Sequence, residues 1–261
     1  MSFDFPGINL YIFIIGACVG SFLNVCIYRI PENKSIISPG SSCPNCSKSI
    51  PFYLNIPILS YVFLSGRCKF CKTPISIRYP LIESLTGGIA LLTFLWFGPT
   101  LSAVYWFVFI CTLLTLSVID MDHQIIPDVI SLPGIIIFAS SFYFIPDMTV
   151  KKTLIGIFAG GGSLYAVALF YSLIRNKEGM GGGDIKLLAM IGAAIGFKGV
   201  FFTIFAGSLI GTVAGIILML YNQVADMQLK IPFGPFLSAG AVLYIFFGPD
   251  VIAWYFSLLG Q

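Results

Sequence analysis

Residues 178–192 read EGMGGGDIKLLAMIG, so three consecutive glycines lead into Asp184 and an apolar segment follows at once. Glycine suits an irregular lead-in and Asp is a favoured N-cap, so the pattern predicts a helix that starts at the carboxylate. The composition of the chain indicates where that helix lies. Of the 261 residues, 57% are hydrophobic and 10% are charged, whereas a soluble domain carries about 25% charged residues. We therefore expect a polytopic membrane protein.

Eight apolar segments approach the roughly 20 residues that a membrane-spanning helix needs. They comprise residues 10–28, 81–97, 101–120, 129–145, 154–174, 185–197, 200–221 and 233–259, of which the sixth is short. The sequence thus predicts an all-α polytopic membrane protein with about eight transmembrane helices. We divide it into a first transmembrane helix (1–28), a polar insert (29–79) and a seven-helix membrane domain (80–261). Membrane lipid is an expected partner, whereas a net charge of +3 is too small to argue for nucleic acid.

The distribution of Lys and Arg predicts the orientation of the chain. An even number of spans places both termini on one side of the membrane. If that side is outside, the segments inside hold most of the 14 basic residues, and only Lys151, Lys152 and Lys198 lie outside. Because cytoplasmic loops carry an excess of Lys and Arg, we expect outside termini and a cytoplasmic insert.

Glycines recur four residues apart within several spans. The sets are Gly16/Gly20, Gly156/Gly160, Gly192/Gly196 and Gly207/Gly211/Gly215. Such spacing lets helix backbones approach closely in lipid. Dimerisation would explain it as well, but we expect packing within one helical bundle.

The polar insert contains two pairs of cysteines, Cys43-x-x-Cys46 and Cys68-x-x-Cys71. Two such knuckles supply four thiolates to one tetrahedral ion, as in a zinc ribbon. Two disulfides or four free thiols are the alternatives, and disulfides are disfavoured on the reducing cytoplasmic side. A zinc ion with four cysteine ligands has no open position, so the expected Zn²⁺ is structural.

Two carboxylates lie where a membrane span meets the cytoplasm. Asp120 ends the third span, where the helix dipole opposes a negative charge, so capping does not explain it. Asp184 opens the sixth span, and taken alone it is a plausible N-cap. The two spans run in opposite directions, so both carboxylates fall at the cytoplasmic edge.

Two carboxylates that approach each other share a proton. One can then activate a water molecule as general base while the other, protonated, polarises a peptide carbonyl. The pair Asp120 and Asp184 therefore predicts aspartic-protease chemistry. The run of Gly181, Gly182 and Gly183 would let the backbone lie against an extended substrate, or let two helices close on each other.

Several motifs occur in the order found in one known family. They include GSFLNVCIYRIP (20–31), the double CxxC insert, NIPILSYVFLSGRCKFC (55–71), ISIRYPLIE (75–83), IDMDHQIIPD (119–128), GMGGGDIKLLAMIG (179–192) and IPFGPFLSAG (231–240). Together they cover nearly the whole chain, and it resembles the type IV prepilin peptidases. These are GxGD-type intramembrane aspartic proteases of the bacterial inner membrane.

The resemblance implies an activity, substrates and a methyl donor. Family members remove the short basic leader of type IV prepilins and type II secretion pseudopilins, cutting after a glycine on the cytoplasmic side. Many then N-methylate the new terminal residue with S-adenosylmethionine. By motif, the catalytic residues correspond to Asp120 and Asp184, and the zinc ligands to the four cysteines. No nucleotide-binding signature indicates where S-adenosylmethionine binds.

Two other classes of protein remain open from the residues alone. Paired carboxylates and a short sixth span also suit a proton-coupled transporter, although these acids lie at one membrane edge rather than at the midplane. A membrane-anchored zinc-ribbon adaptor is the third possibility, and it leaves the glycine run unexplained. Replacing either aspartate by asparagine would separate the three.

Overall fold

The computed structural model describes residues 6–175, 181–222 and 232–259. In these ranges the chain forms nine α-helices and a short 3₁₀ turn. The helices are α1 (Pro6–Arg29), α2 (Leu59–Phe63), α3 (Arg78–Phe97), α4 (Leu101–His123), α5 (Asp128–Phe138), α6 (Ser141–Phe144), α7 (Val150–Arg175), α8 (Gly182–Asn222) and α9 (Gly234–Leu259). Six of them are long and apolar enough to cross a membrane. The predicted all-α membrane fold is confirmed, with the insert between α1 and α3.

Helix α8 is two helices in succession. It has 41 residues, and a straight helix of that length would measure roughly 60 Å, twice the hydrocarbon thickness of a bilayer. The chain turns at Gly196, where φ is 70° and ψ is −177°. A Cβ on Gly192 would lie 3.1 Å from Cγ2 of Val200, whereas eight residues of straight helix separate their ends by roughly 12 Å. The turn separates the predicted sixth and seventh spans.

The predicted fourth span, 129–145, is helical but interrupted. It contains most of α5, which begins directly after Pro127 with Asp128 in its first turn. The 11 residues of α5 cover about 16 Å, too little to cross the bilayer alone. With this short segment and the divided α8, the number of helices roughly matches the prediction.

The chain divides into two compact units, residues 1–111 and 112–261. In the first, glycines of α1 pack directly on α3. A Cβ on Gly16 would lie 2.8 Å from Cα of Gly87, and one on Gly20 would lie 2.8 Å from Cα of Glu83. The first unit also holds the insert, which begins where α1 ends at Arg29. The sequence division at residues 28 and 79 stays a prediction.

In the second unit, α7 and the first half of α8 pack with their backbones in contact. A Cβ on Gly156 would lie 2.1 Å from the carbonyl oxygen of Gly192, and one on Gly160 would lie 2.2 Å from that of Leu188. Gly207 of α8 meets the backbone of Phe236 in α9 in the same way. The expectation that these spacings serve packing within the bundle is confirmed at these positions.

The first half of α8 forms the core of the second unit. Most of its apolar side chains are buried, and four are completely so: Leu187, Leu188, Met190 and Ile191. The predicted sixth span is therefore surrounded by protein, which explains why so short a segment can be stable. Asp184 lies at the start of this buried helix.

Candidate functional site

Asp120 lies one turn before the end of α4, because that helix continues to His123 rather than ending at the carboxylate. Its side chain is buried, with 6% of the residue exposed. The backbone N–H of Gly234 donates a hydrogen bond of 3.0 Å to Oδ2 of Asp120. Gly234 is the first residue of α9, so the positive end of that helix faces the carboxylate. The burial of Asp120 is thus compensated by a backbone donor.

Asp184 is the third residue of α8, inside its first turn. The backbone N–H of Asp184 donates to the carbonyl oxygen of Gly181 at 3.2 Å, so Asp184 is not the N-cap that the sequence allowed. Its carboxylate is close enough to that of Asp120 for the two charges to interact. Among the residues that the structure describes, nothing donates a hydrogen bond to the Asp184 carboxylate. Its oxygens remain available to a water molecule or a substrate.

The three glycines before Asp184 differ in their surroundings. A Cβ on Gly183 would lie 2.9 Å from Cβ of Ile126, whereas a Cβ on Gly181 or Gly182 would meet nothing within 4 Å. The third glycine thus permits close packing against the segment that follows α4. The first two leave an open stretch of backbone next to the carboxylates. Gly183 therefore has a close-packing role, whereas contact of Gly181 and Gly182 with an extended substrate stays a prediction.

An ion pair fixes the start of α8 next to the start of α5. Nζ of Lys186 lies 2.6 Å from Oδ1 and 2.8 Å from Oδ2 of Asp128. Asp128 lies in the first turn of α5, where its charge also complements the dipole of that helix. Both side chains are partly exposed, so the pair orients the helix start more than it stabilises the fold.

Gly234 is a residue of this site that the sequence analysis did not single out. It lies in the motif IPFGPFLSAG, and a Cβ there would lie 2.7 Å from Oδ2 of Asp120. The available signal was the Gly-Pro step at a helix start, since proline favours the first turn of a helix. That signal identifies a helix terminus but not the carboxylate that the terminus contacts.

The four cysteines of the insert form one cluster that could hold a metal ion. All four sulfur atoms lie within 4.8 Å of one another, and the Sγ atoms of Cys43 and Cys71 are 3.7 Å apart. Two sulfurs bound at about 2.3 Å to one tetrahedral Zn²⁺ are separated by roughly 3.8 Å. The cysteines are not joined as disulfides, so the arrangement fits a tetrahedral thiolate site.

The two knuckles of this cluster have the same backbone structure. The N–H of Cys43 donates to the carbonyl of Lys48, and the N–H of Cys68 donates to that of Thr73. In each knuckle the residue after the second cysteine has a positive φ, 53° at Ser47 and 61° at Lys72. A pair of tight turns with equal geometry presents the sulfurs to a common centre.

Hydrogen bonds in the insert favour thiolates at two of the four cysteines. The hydroxyl and backbone N–H of Thr73 lower the pKa of Cys71 to about 5. The backbone N–H of Cys46 lowers the pKa of Cys43. Thiolates are the form of cysteine that binds a metal ion, so the backbone of the insert prepares two of the ligands.

These features define a multi-pass membrane protein with a carboxylate pair in a helical bundle and a four-cysteine insert. Comparison with known families identifies two matching domains, the bacterial peptidase A24 N-terminal domain at residues 14–97 and the type IV leader peptidase family at residues 107–216. The chain belongs to the type IV leader peptidase family. This membership and the apolar helices indicate a protein of the inner membrane.

Curated relatives align over nearly the full length of the chain. The three relatives described next are each named prepilin leader peptidase/N-methyltransferase. The relative from Pseudomonas aeruginosa is 34% identical over 270 residues, covering 95% of this chain and 93% of the relative. That from Pseudomonas putida is 35% identical, covering 95% and 93%, and that from Neisseria gonorrhoeae is 36% identical, covering 92% and 90%. No solved structure matches the chain significantly.

Proposed function

We propose that this chain is an aspartic endopeptidase of the inner membrane that removes the leader peptide of type IV prepilins or type II secretion pseudopilins. In this proposal Asp120 and Asp184 are the catalytic pair. Cleavage occurs after a glycine at the cytoplasmic face, and the chain termini lie outside. The enzyme then methylates the new N-terminal residue. The names of the relatives and the shared family support both activities.

The surroundings of the two carboxylates suggest how they divide the work. Asp120 accepts the backbone N–H of Gly234, which favours its charged form, so Asp120 takes the proton from the attacking water. Asp184, which accepts no hydrogen bond from the described residues, carries the shared proton and polarises the scissile carbonyl. The water oxygen attacks the carbonyl carbon, and a tetrahedral diol forms. As the diol forms, the proton of Asp184 moves to the former carbonyl oxygen. As the C–N bond breaks, the proton held by Asp120 passes to the leaving amine and a hydroxyl proton of the diol returns to Asp184.

The observation that carries the peptidase proposal is the approach of two carboxylates from different helices, one of them buried and held by a helix N-terminus. Two carboxylates whose charges interact can share a proton and activate a water molecule, which suits a hydrolytic reaction. The open backbone of Gly181 and Gly182 next to Asp184 leaves room for an extended peptide.

Leader cleavage by purified enzyme tests this assignment. A prepilin is incubated in detergent with the wild type, Asp120→Asn or Asp184→Asn, and the product N-terminus is identified by mass spectrometry. We expect cleavage by the wild type alone, since an amide can neither accept the water's proton nor share one with its partner. Glu32→Gln, an exposed change in the other unit, is the matched control and retains cleavage. Cleavage by either Asn variant near the wild-type rate would remove that residue from the mechanism.

The proposal includes a structural Zn²⁺ held by Cys43, Cys46, Cys68 and Cys71. Four thiolates leave no position for water or substrate, so the ion organises the insert and takes no part in hydrolysis. An insert of this size has too little apolar surface for a core of its own, and a metal ion compensates for that. The spacing of the sulfur atoms supports this role.

The proposed methyl donor is S-adenosylmethionine, which the resemblance to the family implies. It would supply a methyl group bonded to a sulfonium sulfur. The free amine of the new N-terminus would attack the methyl carbon, the carbon–sulfur bond would break to release a neutral thioether, and the methylated amine would lose a proton to water. Addition of S-adenosylmethionine to the cleavage reaction, followed by mass spectrometry of the product, tests this activity separately. A product that gains one methyl group supports it, and an unmodified product contradicts it.

A further inference from the structure

The first unit contains a cavity that the peptidase mechanism does not use. Its volume is about 870 Å³, and it is bounded by the end of α1, the insert and the start of α3. Small-molecule sites have volumes of about 300–1,000 Å³. The cavity is therefore large enough for a nucleoside-sized ligand.

A buried carboxylate lies in the wall of this cavity. Glu83 is 8% exposed, although it lies within α3 near the predicted cytoplasmic surface. Its Oε2 accepts a hydrogen bond of 2.7 Å from the backbone N–H of Ile58, and the hydroxyl of Ser21 lies beside it. The described residues provide no cation as a partner for Glu83. A carboxylate in this position can bind the positive group of a ligand.

The donor to Glu83 is held in an unusual backbone conformation. Ile58 has a φ of 62° and a ψ of −52°, and a positive φ is rare for a β-branched residue. Backbone strain of this kind is unfavourable and occurs mainly at functional sites. The strained Ile58 turns its N–H toward the carboxylate. The insert thus accepts an unfavourable backbone conformation that positions Glu83.

The rest of the lining has the opposite charge and several aromatic rings. Arg29, Lys34 and Lys69 contribute cations, and Tyr28 and Tyr61 contribute rings. Aromatic faces stack on a nucleobase and attract a sulfonium or ammonium group. The cavity thus presents a carboxylate, cations and aromatic surfaces to a single ligand.

We propose that this cavity is the binding site for S-adenosylmethionine. The ligand carries an adenine ring, a carboxylate, and both a sulfonium and an ammonium group, and each has a complement in the lining. This inference rests on the methyl transfer proposed above and assigns it to residues 21–83.

Binding and cross-linking test the site without a methylation assay. S-adenosylmethionine is titrated into the full-length protein in detergent by calorimetry. The complex is then irradiated with ultraviolet light, and the labelled peptide is identified by mass spectrometry. We expect saturable binding and a label within residues 21–83. A label confined to other peptides, or no binding by wild-type protein that cleaves a prepilin, would overturn the proposal.

Two substitutions test the named contacts. Glu83→Gln keeps the side-chain volume and removes the charge, and we expect it to weaken binding about ten- to hundredfold, the range for a lost charge-assisted hydrogen bond. The second variant, Tyr28→Leu, removes an exposed aromatic ring of the cavity. It still tests the site if Glu83→Gln does not fold. Asp250→Asn is the matched control, since it removes a carboxylate charge at an exposed position of α9 that is not part of the cavity wall.

The same variants distinguish failure of the site from failure of the proposed function. Glu83→Gln and Tyr28→Leu should lose methylation and keep leader cleavage. If both bind S-adenosylmethionine and methylate the product as the wild type does, the cavity is not the site, although the methyl transfer stands. If the wild type cleaves the prepilin but neither binds the donor nor methylates the product, the methyl-transfer part of the function fails together with the site.

Discussion

Replacing Gly234 by alanine should separate catalysis from folding. A Cβ at this position would lie 2.7 Å from Oδ2 and 3.4 Å from Cγ of Asp120. To restore ordinary contact, the carboxylate and the start of α9 have to separate by roughly 1 Å, and a misplacement of that size can cost about 100-fold in rate. The hydrogen bond of 3.0 Å from the Gly234 N–H lengthens at the same time. The added methyl group acts on the general base itself.

We therefore expect Gly234→Ala to lower kcat for leader cleavage by about 100-fold while KM changes little. The fold should persist, because overpacking at one site costs about 1–3 kcal/mol. The assay is the initial rate of prepilin cleavage at several substrate concentrations, with thermal unfolding measured on the same preparations.

Gly162→Ala is the matched control for this change. It makes the same substitution within α7, where a Cβ meets nothing within 4 Å. It should leave kcat and KM unchanged and should not lower the melting temperature, because alanine favours a helix interior over glycine. If Gly234→Ala is folded and its kcat lies within about threefold of the wild type, well short of the 100-fold loss, then α9 does not position Asp120. A rise in KM with kcat unchanged would instead make Gly234 part of the substrate-binding surface.

Three further changes test other parts of the structure. Gly183→Ala should destabilise the fold by about 1–3 kcal/mol through its contact with Ile126. Gly182→Ala should leave the melting temperature unchanged and raise KM for the prepilin. Thermal unfolding and cleavage kinetics distinguish the two variants. Replacing Cys43 and Cys46 by serine should abolish zinc content by elemental analysis and lower the melting temperature, and zinc-free wild-type protein would contradict the metal assignment. Lys186→Met should cost less than about 1 kcal/mol of stability, since exposed ion pairs contribute little, and a larger loss in chemical denaturation would contradict that view.

The metal cluster could be predicted from the sequence because its geometry is local. Each Cys-x-x-Cys pair forms its own turn, so the spacing already presents two sulfurs together before any distant packing is known. The structure adds the feature that the two turns are equivalent, with Ser47 and Lys72 at matching positive φ. The short-range Cys-x-x-Cys pattern is enough to give both knuckles the same backbone conformation.

The carboxylate pair could be predicted only in part from the sequence, because its two members lie far apart in the chain. The order and direction of the spans were enough to predict that Asp120, near the end of one helix, and Asp184, near the start of another, lie at the same membrane edge. The role of Asp184 as a cap was resolved only by the structure, because whether a helix begins at residue 182 or 184 changes which residue is the cap. Boundaries of this precision depend on packing, here of Gly183 against Ile126.

The partner of Asp120 could not be predicted, and the reason is physical. The hydrogen bond from Gly234 joins residues that are 114 positions apart, and it depends on the register of α9 against the rest of the second unit. That register is set by contacts such as Gly207 against the backbone of Phe236, which a hydrophobicity pattern does not encode. A buried carboxylate without a sequence neighbour to satisfy it nevertheless implies that some donor exists elsewhere. Asp120, near the end of an apolar span, is such a carboxylate. A Gly-Pro step at the start of a later helix offers it a free backbone N–H and, because glycine has no side chain, space for close approach.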